Sequence, residues 1–461
     1  MVCLIRRTRT LQKAAGVRHL WGTYKILKKE LHLSACRCYL GDACDVEGYH
    51  PGHHSGTMQE VIQKINERMN VQSTYHTPPF CRAQLLKHQP NREDLPKRSM
   101  KDSYTTAVLP FKEDERIRVH YVNHLGRLRL GRLMEDLDLF AVWICHRHVY
   151  VPKLPKGIPM PYTFVTLLVD KVEILQDSLS AFEDIELSGH VSWAGNSSME
   201  ITIYLRQEMQ NMARAVFMMV SRNATNTGPA PVNPLEPANE LEERCLADAQ
   251  RRQTVRKANQ HQSVLNKRPT KSDEQLMFEL FQRTKGKSLV HDIGQTLALP
   301  ANSAYMSKSY QSTMLHPFPD NRNAHNTIFG GYIMRNAVEI SIITASIYSS
   351  GRPQLQCILD VAFYNPVPVD SFIKITAYVV YTSGIYMQLM TIVQALNANT
   401  LEKLTSNAFY LTFAGELAVK ELLPSSYQET LWYLNGKKKM EVFQQLKQNQ
   451  EKHSKQCKQK A

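Results

Sequence analysis

The 461-residue chain has no uninterrupted run of 18 apolar residues, so the sequence predicts no transmembrane helix. Its nine cysteines are scattered, and their odd number argues against a disulfide scaffold. Hydrophobic residues make up 43% of the chain and charged residues 21%, with a mean hydropathy of −0.36. This composition is ordinary for a globular protein, and the length allows two or three domains with cores of their own.

Acidic residues are absent from residues 1–29, where eight lysines and arginines give a formal charge of +8. Residues 436–461 carry eight lysines against Glu441 and Glu451, which gives +6. These two ends account for the whole net charge of +14, so the intervening body is formally neutral. We therefore do not expect a basic groove on the surface of the folded domains, and we predict no nucleic-acid partner.

The basic N-terminal segment lacks the long apolar core of a secretory signal. Its arginines and lysines alternate with Leu, Ala, Val and Trp, which is typical of a mitochondrial presequence. We expect residues 1–30 to direct import into mitochondria, with the matrix as the destination; a disordered basic arm is the alternative. Residues 416–461 are interpreted as a basic C-terminal tail. Its lysine-rich end, residues 436–461, is expected to be solvated and partly helical, with contact to acidic lipids as the alternative.

Three cysteines and three histidines lie close together near the N-terminus and superficially resemble metal ligands: Cys36, Cys38, Cys44, His50, His53 and His54. A Cys-x-Cys spacing is not a usual structural zinc pattern, so we expect no metal. We interpret residues 31–99 as an N-terminal extension. Its one plausible helix is amphipathic and spans residues 58–69.

The chain contains an internal repeat with an offset of 200 residues. Segments 131–147 and 331–347 both begin at a glycine and carry an apolar stripe with steps of +4, +3 and +4, typical of one helix face. Each segment is followed by four runs rich in Val, Ile, Thr and aromatics, which predict strands. These runs are 163–175, 183–193, 198–206 and 211–220 in the first copy, and 355–363, 371–381, 385–396 and 404–413 in the second.

A sheet wrapped around a central helix satisfies both patterns, and this is the hotdog shape. We therefore predict an α+β fold of two tandem hotdog domains, residues 100–228 and 290–415. Four prolines interrupt the chain between them: Pro229, Pro231, Pro234 and Pro237. A charged helical stretch follows over residues 238–260, so residues 229–289 are interpreted as a linker with a bridging helix.

The first asymmetry between the copies is a carboxylate. Asp138 lies beside the apolar stripe of the first helix, and its counterpart in the second copy is Val338. A carboxylate on a largely apolar helix costs several kcal/mol unless it is solvated, paired or used in chemistry. Acids in a first helical turn complement the helix dipole, but Asp138 lies beyond that turn. It is therefore a candidate catalytic residue, with a capping or surface acid as the alternative.

The second asymmetry precedes the second helix, where Asn323 lies seven residues ahead of the Gly330–Gly331 pair. A glycine pair permits a tight turn into a helix whose first backbone N–H groups are unpaired. Such a helix N-terminus can hold the oxyanion that develops during acyl transfer. The alternative interpretation of the glycine pair is a simple turn.

Several segments carry a family resemblance: MKDSY (100–104), GRLMEDLD (131–138), SGHVSW (188–193) and HPFPDNRNAHNTIFGG (316–331). Together with the helix-then-strands order, they resemble the mitochondrial acyl-CoA thioesterase 9 group of double-hotdog thioesterases. The resemblance covers about residues 100–415. It implies hydrolysis of acyl-CoA thioesters to free fatty acid and coenzyme A, without a cofactor, and association into a homo-oligomer.

In that family the two hotdog domains pack face to face, and an Asn upstream of the glycine turn of one half works with an Asp on the central helix of the other half. The resemblance places these roles on Asn323 and Asp138. Asp138 would be a general base for water, or a nucleophile, and Asn323 would orient the water or the thioester carbonyl. The amides of Gly330 and Gly331 would stabilise the oxyanion.

The reverse pairing of the two halves is defective. Asn123 occupies the upstream place in the first copy, but Leu130 replaces the first glycine, and Glu339 is one residue out of register, about 100° around the helix. We therefore expect one competent composite site per chain, with Asn326 and Glu339 as possible secondary residues.

Two other functions remain open. A hotdog dehydratase would need a histidine beside the helix, for which His124 and His325 are available. A non-catalytic acyl-CoA-binding protein is the other alternative, although both Asp138 and Asn323 are present.

Overall fold

The computed structural model of the protein describes residues 54–69, 82–175, 179–208, 210–260, 268–284, 299–318, 321–323 and 327–460. The predicted presequence and the cysteines and histidines from Cys36 to His53 lie outside these residues. No helix in the described part of the chain combines the length and the apolar character that membrane crossing requires.

Within the described residues, the first half of the chain contains a long central helix, Leu130–His148, and six strands. The strands are β1 (His54–Thr57), β2 (Thr105–Leu109), β3 (Tyr162–Ile174), β4 (Ile185–Ala194), β5 (Ser198–Gln207) and β6 (Gln210–Asn223). An N-terminal helix, Met58–Met69, has the bounds predicted from its amphipathic pattern. Shorter helical segments are Arg82–His88, Arg92–Asp94, Met100–Ser103 and Glu115–Arg118.

The second half repeats this order around the second central helix, Gly330–Ser349. Its strands are β7 (Ser303–Tyr305), β8 (Tyr310–Leu315), β9 (Gln354–Phe363), β10 (Ser371–Ser383), β11 (Tyr386–Asn397), β12 (Lys403–Ala414) and β13 (Glu421–Leu423). The remaining helical elements are the bridging helix Glu240–Gln260, the helix Lys271–Thr284, a short turn Met306–Lys308 and the C-terminal helix Tyr427–Lys460.

Eleven of the described strands form one sheet, in the order β1-β2-β4-β5-β6-β3-β9-β12-β11-β10-β8. The order β2-β4-β5-β6-β3 is mirrored by β8-β10-β11-β12-β9, so the two halves are related by a pseudo-twofold axis. They join edge to edge where β3 pairs antiparallel with β9, from Leu168↔Ala362 to Glu173↔Cys357. Since each strand would otherwise be an open edge of its half, this pairing satisfies both backbones. Of the expected face-to-face packing, the structure shows the contact between the two central helices, whereas the sheets of the two halves join edge to edge.

The eight predicted strands form within about three residues of their expected bounds, and the apolar stripes of both central helices are buried. The structure is thus α+β. The prediction missed strands β1, β2 and β8, the small parallel sheet of β7 and β13, the short helical segments and the helix Lys271–Thr284. The last of these lies in the segment interpreted as a linker.

The two central helices cross at glycines. A Cβ atom added at Gly131 would lie 2.8 Å from the backbone oxygen of Arg335, and one added at Gly331 would lie 3.1 Å from the Cα atom of Glu135. These two contacts are related by the repeat offset of 200 residues. The helix backbones can therefore approach closely at both crossings only because each lacks a side chain there.

A helix covers the outer face of the sheet in each half. The bridging helix is tied to the first half by Arg256, which pairs with Asp170 at 3.2 Å and also with the fully buried Glu200. Arg252 pairs with the same Glu200 at 2.7 Å. Because Glu200 has lost its water, these two arginines are needed to compensate its charge.

The C-terminal helix covers the second half. Trp432 packs on Tyr378, Phe443 packs on Tyr386, and Lys439 pairs with Asp360. The expected solvated tail is therefore a helix that packs on the sheet over its first half. Its lysines conceal an apolar stripe that includes the buried Leu434, Met440 and Phe443.

Candidate active site

Asp138 lies in the middle of the first central helix, and its side chain faces the start of the second. It is 1% exposed. Its carboxylate accepts a hydrogen bond from the backbone N–H of Gly331. Its Oδ2 atom lies 3.3 Å from the point where a Cβ atom of Gly330 would be. The structure therefore brings the carboxylate of one repeat to the glycine turn of the other.

Thr166, on strand β3, is the other polar partner of this carboxylate. Its hydroxyl Oγ1 donates to Oδ1 of Asp138 at 2.5 Å. Sequence reasoning missed Thr166, because threonine is common in strands and its neighbours Val165 and Leu167 are apolar. The structure inverts the usual pattern here: Thr166 is buried, whereas Val165 and Leu167 are 37% and 43% exposed. The signal in the sequence is a single polar residue between two apolar residues of a predicted strand, and its inward direction becomes visible only in the structure.

Burial is the largest influence on the acidity of Asp138 and raises its pKa to about 6. The hydrogen bonds from Thr166 and from the Gly331 amide oppose this rise, and the nearby charge of Glu135 adds to it. A carboxyl group with a pKa of about 6 is mostly ionised at neutral pH, yet it is more basic than an ordinary carboxylate. This combination suits a general base.

Asn323 lies in a hairpin that leads directly into the glycine turn. Its backbone N–H donates to the carbonyl of Thr327 at 2.8 Å, and its side-chain Nδ2 donates to Oγ1 of Thr327 at 2.7 Å. The first copy has the same hairpin, in which the Asn123 N–H donates to the Arg127 carbonyl at 2.9 Å. Phe329 closes the second hairpin one residue before Gly330. Asn326 and His325 lie outside the described residues.

The glycine turn leaves little room for side chains. A Cβ atom at Gly330 would lie 3.2 Å from the Phe363 ring and 3.3 Å from Asp138. The Gly331 amide already has Asp138 as its acceptor. Of the two amides predicted to hold an oxyanion, one is thus engaged with the carboxylate in the structure.

The reverse site, between the second central helix and the turn that begins the first, is apolar. Val338, the counterpart of Asp138, is 1% exposed, and Leu130 stands where Gly330 would be. Leu130 also lines a small apolar cavity together with Met134, Leu137 and Ile358. The secondary candidate Glu339 pairs with Arg129 at 2.7 Å and with Arg335 at 3.5 Å. It belongs to an ion-pair network between the helices.

Asp136 and His124 do not join the site. Asp136 is 2% exposed and accepts a hydrogen bond from the Tyr121 hydroxyl at 2.7 Å, which ties the first hairpin to the helix. Burial raises the pKa of Asp136 to about 7. His124, the described candidate for a dehydratase, is exposed in the turn of that hairpin.

No family model matches the chain. Among curated proteins, acyl-coenzyme A thioesterase 9, mitochondrial, from Homo sapiens is 33% identical over 389 residues, covering 83% of this chain and 88% of that protein. The protein of the same name from Bos taurus is 32% identical over 389 residues, with the same coverage. Acyl-coenzyme A thioesterase 10, mitochondrial, from Mus musculus is 32% identical over 390 residues, again with the same coverage.

Solved structures give weaker matches. An acyl-CoA hydrolase from Staphylococcus aureus, in complex with butyryl coenzyme A and coenzyme A, has a TM-score of 0.31 at 22% identity. The match covers 32% of this chain and 95% of the hydrolase. An apo-hexameric acyl-CoA thioesterase has a TM-score of 0.29 at 22% identity, covering 33% of this chain and 97% of the other.

Proposed function

The chain belongs to the family of mitochondrial acyl-coenzyme A thioesterases 9 and 10, and we propose that this thioester hydrolase works with Asp138 as general base at a site shared by its two halves. It converts acyl-CoA thioesters to free fatty acid and coenzyme A. The observation that carries the assignment is the buried carboxylate of Asp138 between Thr166 and the Gly331 amide. This arrangement lies where the two repeats meet.

In this proposal the Asp138 carboxylate accepts a proton from water while the water oxygen attacks the thioester carbonyl carbon. The carbon–sulfur bond of the tetrahedral intermediate then breaks, and coenzyme A leaves as a thiolate. The proton on Asp138 passes to the thiolate or to solvent, which restores the carboxylate. The proposed reaction uses no cofactor. Coenzyme A is part of the substrate and is released as a product. A direct attack by Asp138 on the carbonyl is the less favoured route.

The remaining site residues orient and stabilise. Asn323, held by Thr327, orients the water or the thioester carbonyl. The N-terminus of the second central helix, at Gly330 and Gly331, stabilises the oxyanion through its amides and its dipole. Substrate binding must therefore draw the Gly331 amide from Asp138, or leave this role to the Gly330 amide.

We further propose two tandem hotdog domains, residues 100–228 and 290–415, which join through β3 and β9. The repeated helix-and-strands order and the equivalent hairpins support this division. The relatives' names support a mitochondrial location, and we place the protein in the matrix. Exposed Val165 and Leu167 on the outer face of β3 support association into a homo-oligomer.

The decisive experiment compares Asp138→Asn with Asp136→Asn. Both are buried aspartates on the same helix, two residues apart, and each change removes a charge while keeping the shape. Release of free thiol from a series of acyl-CoA chain lengths should fall at least about a hundredfold in Asp138→Asn. Asp136→Asn should keep most of the activity, because its carboxyl group faces Tyr121.

Full turnover by Asp138→Asn would remove the general-base assignment. A wild-type protein that binds acyl-CoA but releases no thiol at any chain length would instead favour the non-catalytic alternative. With a hydroxyacyl-CoA as substrate, loss of water to give enoyl-CoA without thiol release would identify a dehydratase.

A further inference from the structure

Glu135 lies one helical turn before Asp138 on the first central helix, on the side that faces the second. Its side chain is 16% exposed. Its Oε2 atom accepts from Nη1 of Arg132 at 2.6 Å on its own helix, and lies 3.4 Å from Nη1 of Arg335 on the other helix. The carboxylate of Glu135 is therefore held between two guanidinium groups, one from each repeat.

The position of Glu135 is also a point of backbone contact. A Cβ atom at Gly331 would lie 3.1 Å from the Cα atom of Glu135. The amide of the same Gly331 donates to Asp138. The turn that carries the hydrogen-bond donor of Asp138 thus rests directly on Glu135, so a shift at Glu135 would move the donor.

The repeat explains why these charges meet. Glu135 and Arg335 occupy equivalent places in the two copies, at the offset of 200 residues. The pseudo-twofold axis places Gly131 against Arg335 and Gly331 against Glu135, so the side chains of Glu135 and Arg335 meet where the helices cross. Two copies with the same residue would repel each other there, whereas Glu135 and Arg335 attract. Arg335 also pairs with Glu339 at 3.5 Å, which makes it the shared cation of the crossing.

We propose that Glu135, clamped by Arg132 and Arg335, is a positioning residue that holds the glycine turn of the second repeat against Asp138. This inference rests on the proposed role of Asp138 as general base. Glu135 would then act through Asp138, and the activity of one repeat would depend on a cation that the other repeat supplies.

The electrostatic neighbours of Asp138 are few in the described part of the chain. Strand β3 presents the hydroxyl of Thr166, and the second helix presents the Gly331 amide. The first helix presents Glu135 and the buried thiol of Cys145, whose pKa is raised by burial and which is therefore neutral. Glu135 is thus the charged group that acts on Asp138. Its own charged neighbours are Arg132, Arg335 and Asp136.

Two substitutions should shift the pKa of Asp138 in opposite directions. Glu135→Gln removes a negative charge that disfavours ionisation, so the pKa of Asp138 should fall. Arg335→Gln leaves Glu135 less compensated, so the pKa of Asp138 should rise. The acid limb of the pH profile of kcat/KM should therefore move to lower pH in the first variant and to higher pH in the second. Each shift is expected to be about half a pH unit for partly exposed ion pairs.

The test measures kcat/KM from about pH 5 to 9 for the full-length wild type and both variants, beside thermal unfolding. Arg335→Lys keeps the cation and should restore the wild-type limb, which protects the test if Arg335→Gln folds poorly. Glu236→Gln, in an exposed pair with Lys97, is the matched surface control and should leave the profile unchanged.

Opposite shifts of the limb in Glu135→Gln and Arg335→Gln would support the proposal. The proposal would be overturned if Glu135→Gln and Arg335→Gln both folded and both kept the acid limb of the wild type. A fall in kcat would not rescue it, because a purely structural role lowers kcat at every pH. Failure of the general-base assignment is separate, since it would appear as full activity of Asp138→Asn.

Discussion

Replacement of Thr166 by valine tests how the site controls its carboxylate. Valine has nearly the same volume as threonine, so the change removes one hydroxyl from a buried site without opening a large cavity. The hydroxyl donates to Asp138 at 2.5 Å and lowers the pKa of that carboxyl. A hydrogen bond to a charged group contributes about 1.5–3 kcal/mol, which corresponds to roughly one to two pKa units. The pKa of Asp138 should therefore rise from about 6 toward 7 or 8.

The consequence is a loss of activity that depends on pH. At pH 7 the ionised fraction of Asp138 should fall from about nine-tenths to between one-tenth and one-half, given that pKa shift. Activity should recover substantially near pH 9, where the carboxyl is ionised again. Thr166→Ser keeps the hydroxyl and is the matched control. A Thr166→Val protein that loses activity equally at pH 7 and pH 9, or loses none at pH 7, would refute this account of the hydrogen bond.

Three further predictions concern stability and the helix crossing. The pKa of Asp138 is raised in the folded protein, so its ionisation lowers the free energy of unfolding as pH rises from about 4 to 6. Asp138→Asn should therefore stabilise the protein by about 1–3 kcal/mol at pH 7.5 and by nearly nothing below pH 4. An equal gain in urea unfolding at both pH values would contradict this. Gly131→Ala should cost about 1–3 kcal/mol and lower kcat, because its Cβ atom would lie 2.8 Å from a backbone oxygen, whereas Gly228→Ala, with 3.5 Å to its nearest neighbour, should be tolerated by both measures. Val338→Asp should destabilise by about 3 kcal/mol or more in urea unfolding without raising kcat, since Val338 is 1% exposed and Leu130 replaces the glycine.

The elements with strong periodicity could be predicted from the sequence. The central helices and the eight strands that follow them carry apolar residues at regular helical or alternating spacing, and the repeat doubled that signal. Strands β2 and β8 are five and six residues long, and nothing in so short a run distinguishes a strand from a loop. The packing of the C-terminal helix was hidden by its lysines, because net charge reports the solvent face and not the buried stripe that holds Leu434 and Phe443.

The site was predictable only where the repeats differ. Asp138 stands out because its counterpart is Val338, and the glycine turn stands out because its counterpart begins with Leu130. Thr166 has no such contrast, and the hydrogen bond from the Gly331 amide is a property of two helices brought together by the fold. Glu135 and Arg335 are charged surface-type residues in either copy alone. Their pairing becomes meaningful only once the pseudo-twofold axis places them in contact.

The energetics of burial favour one carboxylate rather than two. A carboxyl whose pKa is raised from 3.8 to about 6 opposes folding by about 3 kcal/mol at neutral pH. A second aspartate in place of Val338 would add a similar cost, and it would face Leu130 without the glycine turn that provides a donor to Asp138. Valine instead gains about 1.5–3 kcal/mol from full burial of an apolar side chain. A duplicated chain, unlike a symmetric pair of identical subunits, can change one crevice without changing the other. The apolar crevice at Leu130 and Val338 thus contributes stability that offsets the cost of the buried base at Asp138.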